Sequence, residues 1–113
     1  QSIGKKGENH AAAFLKEQGY HVLNRNYRYK RAEIDLICQQ QDLLIFVEVK
    51  TRTSAAYGQP ESFVSEGQQQ SIIRGAEQYI EEINWTGDIR FDVIAILEQK
   101  GRLEISHFKD AFY

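Results

Sequence analysis

Apolar and polar positions change their period several times along this chain, and those changes mark its elements. From about Lys5 to Gln18, Glu8, Ala11, Ala12 and Leu15 recur at helical spacing, with Gly19 as the stop. Tyr20 to Tyr29 reads as a first strand, Glu33 to Gln39 as a second and Leu43 to Thr51 as a third. A polar turn around Gln40 to Asp42 separates the last two. Thr51 to Phe63 holds Ser54, Gly58 and the only proline, Pro60, and reads as a mobile loop without a clear period. Ser65 opens a second helix, where Ser65-Glu66-Gly67-Gln68 has the form of a capping box. Ile72, Ile73, Ala76, Tyr79, Ile80 and Ile83 make its apolar face. After a turn at Trp85 to Asp88, Arg90 to Leu97 is nearly continuous in apolar character, as a central strand is, and Arg102 to Phe108 alternates as a last strand. The order helix, three strands, helix, two strands predicts an α/β domain.

Length and composition narrow the class. A chain of 113 residues forms one domain, 1–113, and 42% apolar with 27% charged residues is ordinary for a soluble globular protein. No run approaches the roughly 18 apolar residues of a membrane span, and no signal peptide is recognised, so a cytoplasmic protein without membrane contact is expected. The single cysteine, Cys38, excludes an internal disulfide framework and a cysteine-based zinc site, and reads as a packed thiol. A net charge of −2 counts against tight, non-specific DNA binding across a whole surface. The basic residues are unevenly spread, however. Arg25, Arg28, Lys30 and Arg31 lie in one short stretch with Tyr27 and Tyr29, whereas Glu77, Glu81 and Glu82 cluster later.

The candidate chemistry lies in the second and third strands, Glu33-Ile34-Asp35-Leu36-Ile37 and Leu44-Ile45-Phe46-Val47-Glu48-Val49-Lys50. Charge beside such apolar runs is costly unless it is paired or holds a metal. Strand alternation puts Glu48 and Lys50 on one face and Ile45, Val47 and Val49 on the other. If Gln41 and Asp42 form a two-residue loop, Asp35 lies opposite Glu48 and Glu33 opposite Lys50. Two ionised carboxylates so placed repel one another without a cation between them. The plain alternative is a cross-strand ion-pair cluster. Glu8 adds a third carboxylate from the first helix, or simply complements the helix dipole.

Together, Glu8, Asp35 and Glu48-Val49-Lys50 resemble the PD-(D/E)xK nuclease superfamily. More closely, the chain is similar to the YraN-like family of small bacterial proteins. That resemblance rests on Gly4-Lys5-Lys6-Gly7-Glu8, Gly19-Tyr20, Asn26-Tyr27-Arg28, Glu33-Ile34-Asp35-Leu36-Ile37, Phe46-Val47-Glu48-Val49-Lys50-Thr51-Arg52 and Arg90-Phe91-Asp92-Val93. It implies a restriction-endonuclease-like core, with a mixed central sheet flanked by helices, and a magnesium-dependent endonuclease acting on DNA. By the same resemblance, Asp35, Glu48 and the Val49 carbonyl would bind Mg²⁺, with Mn²⁺ as a substitute. Glu8 would complete the site, and Lys50 would position or deprotonate the attacking water. Arg25, Arg28, Lys30, Arg31 and Arg52 would contact nucleic acid, with Tyr27 or Tyr29 stacking on unpaired bases. Nucleases that act on two strands are commonly homodimers, which the resemblance allows here.

Two positions depart from the family pattern. Ala32 stands where glycine is usual, and Gln68 where the second helix commonly carries a lysine; Gln68 reads as the capping-box partner. Two other functions are open on the sequence: a nucleic-acid-binding or repair-accessory module with little activity, and a small interaction protein whose acidic second helix docks a partner. The Arg25–Arg31 run also reads as a solvated strand end, and Arg52 as a surface ion pair. His10, His21 and His107 lack metal-site spacing, and Asp92 reads as a satisfied structural carboxylate.

Overall fold

The computed structural model of the chain describes residues 3–52 and 64–113. Helix α1 spans Ile3–Glu17, strand β1 His21–Tyr29, β2 Ala32–Gln40, β3 Leu43–Arg52, helix α2 Glu66–Ile83, β4 Asp88–Gln99 and β5 Arg102–Phe108. This is the predicted order, with ends shifted by a few residues. The loop expected between Thr51 and Phe63 lies outside the described residues from 53 onward, while Thr51 and Arg52 continue β3.

All five strands form one mixed sheet in chain order. Neighbours are antiparallel except β3 and β4, which run parallel along the whole of β3, from Leu43 opposite Asp88 to Arg52 opposite Leu97. A parallel pair needs a long crossover, and the segment containing α2 supplies it. The two faces carry separate cores. Ala11, Ala12 and Leu15 of α1 pack with Leu36, Cys38, Ile45, Val47, Ile94 and Ile96 on one face. Ile72, Ala76 and Tyr79 of α2 pack with Ile34, Ile37, Leu44, Phe46, Phe91 and Val93 on the other. The near-continuous apolar run of β4 follows from burial on both sides. Cys38 is a buried free thiol in the α1 core. Among the described residues no helix is long and apolar enough to cross a membrane.

Local chemistry explains the element ends. Ser65 caps α2 by accepting from the Gln68 N–H at 3.1 Å, and Asn84, with φ 55°, closes it in the left-handed region. Gln41 takes φ 55° in the β2–β3 turn. A two-residue loop results, and the β2–β3 ladder runs from Gln40–Leu43 to Leu36–Val47 in the register expected from sequence.

Candidate active site at the opening of the sheet

The ladder stops one step short of the expected carboxylate pair. β2 and β3 pair only as far as Leu36–Val47, and the β1–β2 ladder passes from Arg25–Leu36 to Tyr27–Ile34 without pairing Asp35. Asn26, with φ 53°, is the residue β1 leaves out at the same point. Asp35 is therefore unpaired in both ladders, and the expected backbone pairings of Asp35 with Glu48 and Glu33 with Lys50 do not form. The Asp35 carboxylate instead accepts from the Val49 N–H at 2.8 Å. This break shifts the alternation: Ile34 lies in the α2 core and Leu36 in the α1 core, although they are two residues apart.

The carboxylates still meet through their side chains. Asp35 is in hydrogen-bonding contact with Glu48, which is itself 7% exposed. Burial, then the neighbouring Glu48 charge, push the Asp35 carboxyl up to about 8, against the Val49 N–H, which pulls it down. Such a group holds its proton at neutral pH unless a cation replaces it.

Glu48 and Lys50 share the α2 face, as strand alternation requires, with Lys50 Nζ 3.1 Å from Glu48 Oε2. Gln68 reaches this pair from the first turn of α2. Its Nε2 donates to Glu48 Oε2 at 2.6 Å, and its Oε1 accepts from Lys50 Nζ at 3.3 Å. The capping-box expectation holds for the Gln68 backbone, which donates to Ser65, but its side chain belongs to the site. Sequence reasoning missed that role. The available signal was a long polar side chain at the α2 N-terminus, which the crossover brings back over the end of β3.

Glu8 enters from α1. It is the sixth residue of that helix and 7% exposed, on the same face as Ala11, Ala12 and Leu15, so the dipole reading does not describe it. Asn26 Nδ2 donates to Glu8 Oε1 at 2.9 Å, and Arg25 lies 3.4 Å from the same oxygen. Gly7 permits this approach, because a Cβ there would collide with Thr51 Oγ1 of β3.

Cavities open on both sides of the break. One of about 270 Å³ is lined by Asp35 and Glu48 with Gly67, Gln68 and Ser71 of α2; the other, of about 410 Å³, by Glu8, Asp35, Val49, Lys50 and Arg52. Asp35 and Glu33 line both. Among the described residues no group of three or more His, Cys, Asp or Glu side chains is disposed to hold a metal. The donor set is instead two touching carboxylates, Glu48 buried and Asp35 half-buried. That set fits Mg²⁺, which commonly uses one or two protein carboxylates and completes its shell with water and phosphate oxygens.

The basic residues divide. Arg25 donates to Asn9 Oδ1 as well as facing Glu8, and Arg28 pairs with Glu33 at 2.7 Å. Arg52 lines the Glu8 cavity and donates to the Thr51 carbonyl at 2.9 Å. Among the described residues neither Lys30 nor Arg31 makes an ion pair. Tyr27 does not present a free face: its ring meets Tyr79 edge-on at 5.1 Å, and its hydroxyl donates to Glu82 at 3.0 Å.

Asp92 lies apart, at 0% exposure, and is fully partnered. Arg90 donates to both its oxygens at 2.8 Å, His107 Nε2 lies 2.7 Å from Oδ2, and the Asp110 N–H donates to Oδ1 at 3.0 Å. The structural reading of Asp92 is thereby met, and His107 packs between Phe14 and Tyr20.

Comparison with known proteins agrees along nearly the full length. The UPF0102 protein of Flavobacterium psychrophilum is 39% identical, covering 98% of this chain and 93% of its own. That of Chlorobium phaeobacteroides is 42% identical over 97% and 92%, and that of Prosthecochloris aestuarii 43% over 98% and 93%. The profile of the uncharacterised protein family UPF0102 matches residues 7–96, which include Glu8, Asp35, Glu48, Lys50 and Gln68. The chain belongs to the UPF0102 family.

Proposed function

We propose that this protein is a Mg²⁺-dependent endonuclease-like hydrolase of DNA phosphodiester bonds, built on a PD-(D/E)xK-type site. One observation carries the reading: Asp35 and Glu48 touch at the opening of the sheet, with Lys50 and Gln68 holding the outer oxygen of Glu48. Open α/β sheets bind ligands outside the carboxyl ends of their strands, and Glu48 lies toward that end of β3 beside its parallel neighbour β4.

In this reading Asp35 and Glu48 would hold the cation, with the Val49 carbonyl as a further donor. The chemistry the cation would supply there is a lowered pKa for the attacking water and stabilisation of charge on the phosphate. Lys50 orients that water and offsets phosphate charge from its fixed place beside Glu48. Gln68 holds Glu48 Oε2 through its amide N–H and so fixes the carboxylate in place. Glu8, held by Asn26 and Arg25, acts through water on the other side of the break.

The test is Mn²⁺ binding by electron paramagnetic resonance, together with Mg²⁺-dependent cleavage of labelled branched and single-stranded DNA. Glu48→Ala and Asp35→Ala are expected to abolish both. Cleavage that survives Glu48→Ala unchanged rejects the site. A second reading, a nucleic-acid-binding module that does not cut, draws on the ion pairs Lys50–Glu48 and Arg25–Glu8, which already give these carboxylates cationic partners. It predicts salt-sensitive DNA binding with no cleavage under any divalent ion.

A further inference from the structure

Lys30 and Arg31 differ from the other cations of the β1–β2 hairpin, because Arg25 and Arg28 are already paired with Glu8 and Glu33. Lys30 sits at the hairpin turn with φ 55°, and its ammonium lies 5.3 Å from the centre of the Tyr29 ring. Between this turn and α2 lies a cavity of about 520 Å³. Tyr29, Lys30 and Arg31 wall it on the hairpin side, and Arg74, Glu77 and Glu81 on the helix side. Arg31 also lines the cavity that holds Asp35 and Glu48. The two hollows therefore share a wall residue and lie in series, from the carboxylates past Arg31 to Tyr29.

We propose that this path seats one unpaired polynucleotide strand running away from the phosphate bound at Asp35 and Glu48. The proposal rests on the hydrolytic reading above and names the substrate form for that site. Three features support a strand. Arg31, Lys30 and Arg74 are cations without an ion-pair partner among the described residues and line one hollow, which shares Arg31 with the neighbouring hollow that holds the carboxylates. Tyr29 supplies an aromatic ring among them, and single-strand sites combine such cations with stacking rings. The helix wall carries Glu77 and Glu81, which repel a phosphate backbone but accept hydrogen bonds from the N–H groups of bases, the N3–H of thymine included. Phosphates therefore follow the hairpin side and base edges face α2. A second backbone would meet the two glutamates, so a paired strand is excluded from the path.

The test is anisotropy of a labelled oligothymidylate and of a duplex of equal length, with Ca²⁺ in place of Mg²⁺. The double charge reversal Arg31→Glu with Arg74→Glu is expected to weaken oligothymidylate binding about tenfold or more and to flatten its salt dependence. Mn²⁺ should still bind at the carboxylates. Tyr29→Ala should weaken binding where Tyr29→Phe does not. Arg102→Glu, on the far edge strand, should leave binding as it was. Oligothymidylate binding that is undetectable, or unaffected by the double reversal, overturns the proposal. So does a duplex that binds as tightly and through the same residues. Anisotropy needs no turnover, so the two readings fail separately. A chain that binds the strand through Arg31 but never cuts overturns hydrolysis alone. One that cuts while the double reversal binds normally overturns the path alone.

Discussion

Gln68 Nε2 donates to Glu48 Oε2 across 2.6 Å, joining the first turn of α2 to the end of β3. The same amide accepts from Lys50, so its orientation is fixed by chemistry: the carboxylate can only accept and the ammonium can only donate. Gln68→Leu keeps the bulk and removes both bonds. It is expected to lower Mn²⁺ affinity roughly 10–100-fold, the usual effect of losing a group that orients a metal ligand. Gln68→Lys puts a cation against Glu48 and should also weaken Mn²⁺ binding. Isothermal titration on each variant measures both.

Asp35 makes stability depend on pH in an unusual direction. Its folded pKa is raised to about 8 from an ordinary 3.8, so between those values the native state holds the proton more tightly than the unfolded chain. Without metal, stability should therefore fall as pH rises from about 4 to 8 and level off above that. Urea unfolding with a chelator present, at pH 5 and pH 8.5, should show the fall, and Asp35→Asn should remove it. Metal binding should release a proton below about pH 8, which titration in buffers of different ionisation enthalpy will detect.

Asp92 acts in another window. Burial alone would raise its pKa, but His107, Arg90 and the Asp110 N–H outweigh burial and hold it below the ordinary carboxylate range. Its contribution is complete above about pH 4 and is lost as pH falls through the lowered value. Asp92→Ala leaves Arg90 unpaired and should cost about 3–5 kcal/mol, as breaking a buried ion pair does. Arg90, Asp92 and His107 line neither carboxylate cavity, so Mn²⁺ affinity of the folded variant should be unchanged.

Gly7 controls how closely α1 approaches β3. Gly7→Ala brings a methyl against Thr51 Oγ1 and should cost about 1–3 kcal/mol, the range for overpacking a close contact. Thr51→Ala removes the opposing oxygen, so the double variant should recover most of the loss. A double-mutant cycle by thermal denaturation gives the coupling directly.

Much of this architecture was legible in the sequence because its signals are local. Helical spacing marked α1 and α2, and the polar Gln41–Asp42 step fixed the hairpin register through Leu36–Val47. Alternation along β3 placed Glu48 and Lys50 together. It failed at Asp35, where the β1–β2 ladder skips a step and the β2–β3 ladder has already ended; such a break depends on how three strands fit, and leaves no period behind. The site contacts of Gln68 and Asn26 were not foreseen for the same reason. Each is an ordinary polar residue in its own segment and gains a partner only when α2 crosses over or α1 settles onto β1.

The parallel pairing of β3 with β4 also has a consequence for when the site exists. Parallel strands close a long loop before they gain their contacts, so they form late relative to a hairpin. The β1–β2–β3 meander can assemble early and already carries Asp35, Glu48 and Lys50. Gln68 joins them only once α2 is laid across the sheet to deliver β4. A half-folded chain therefore has the carboxylates without the cleft, and any chemistry of this site is confined to the finished protein.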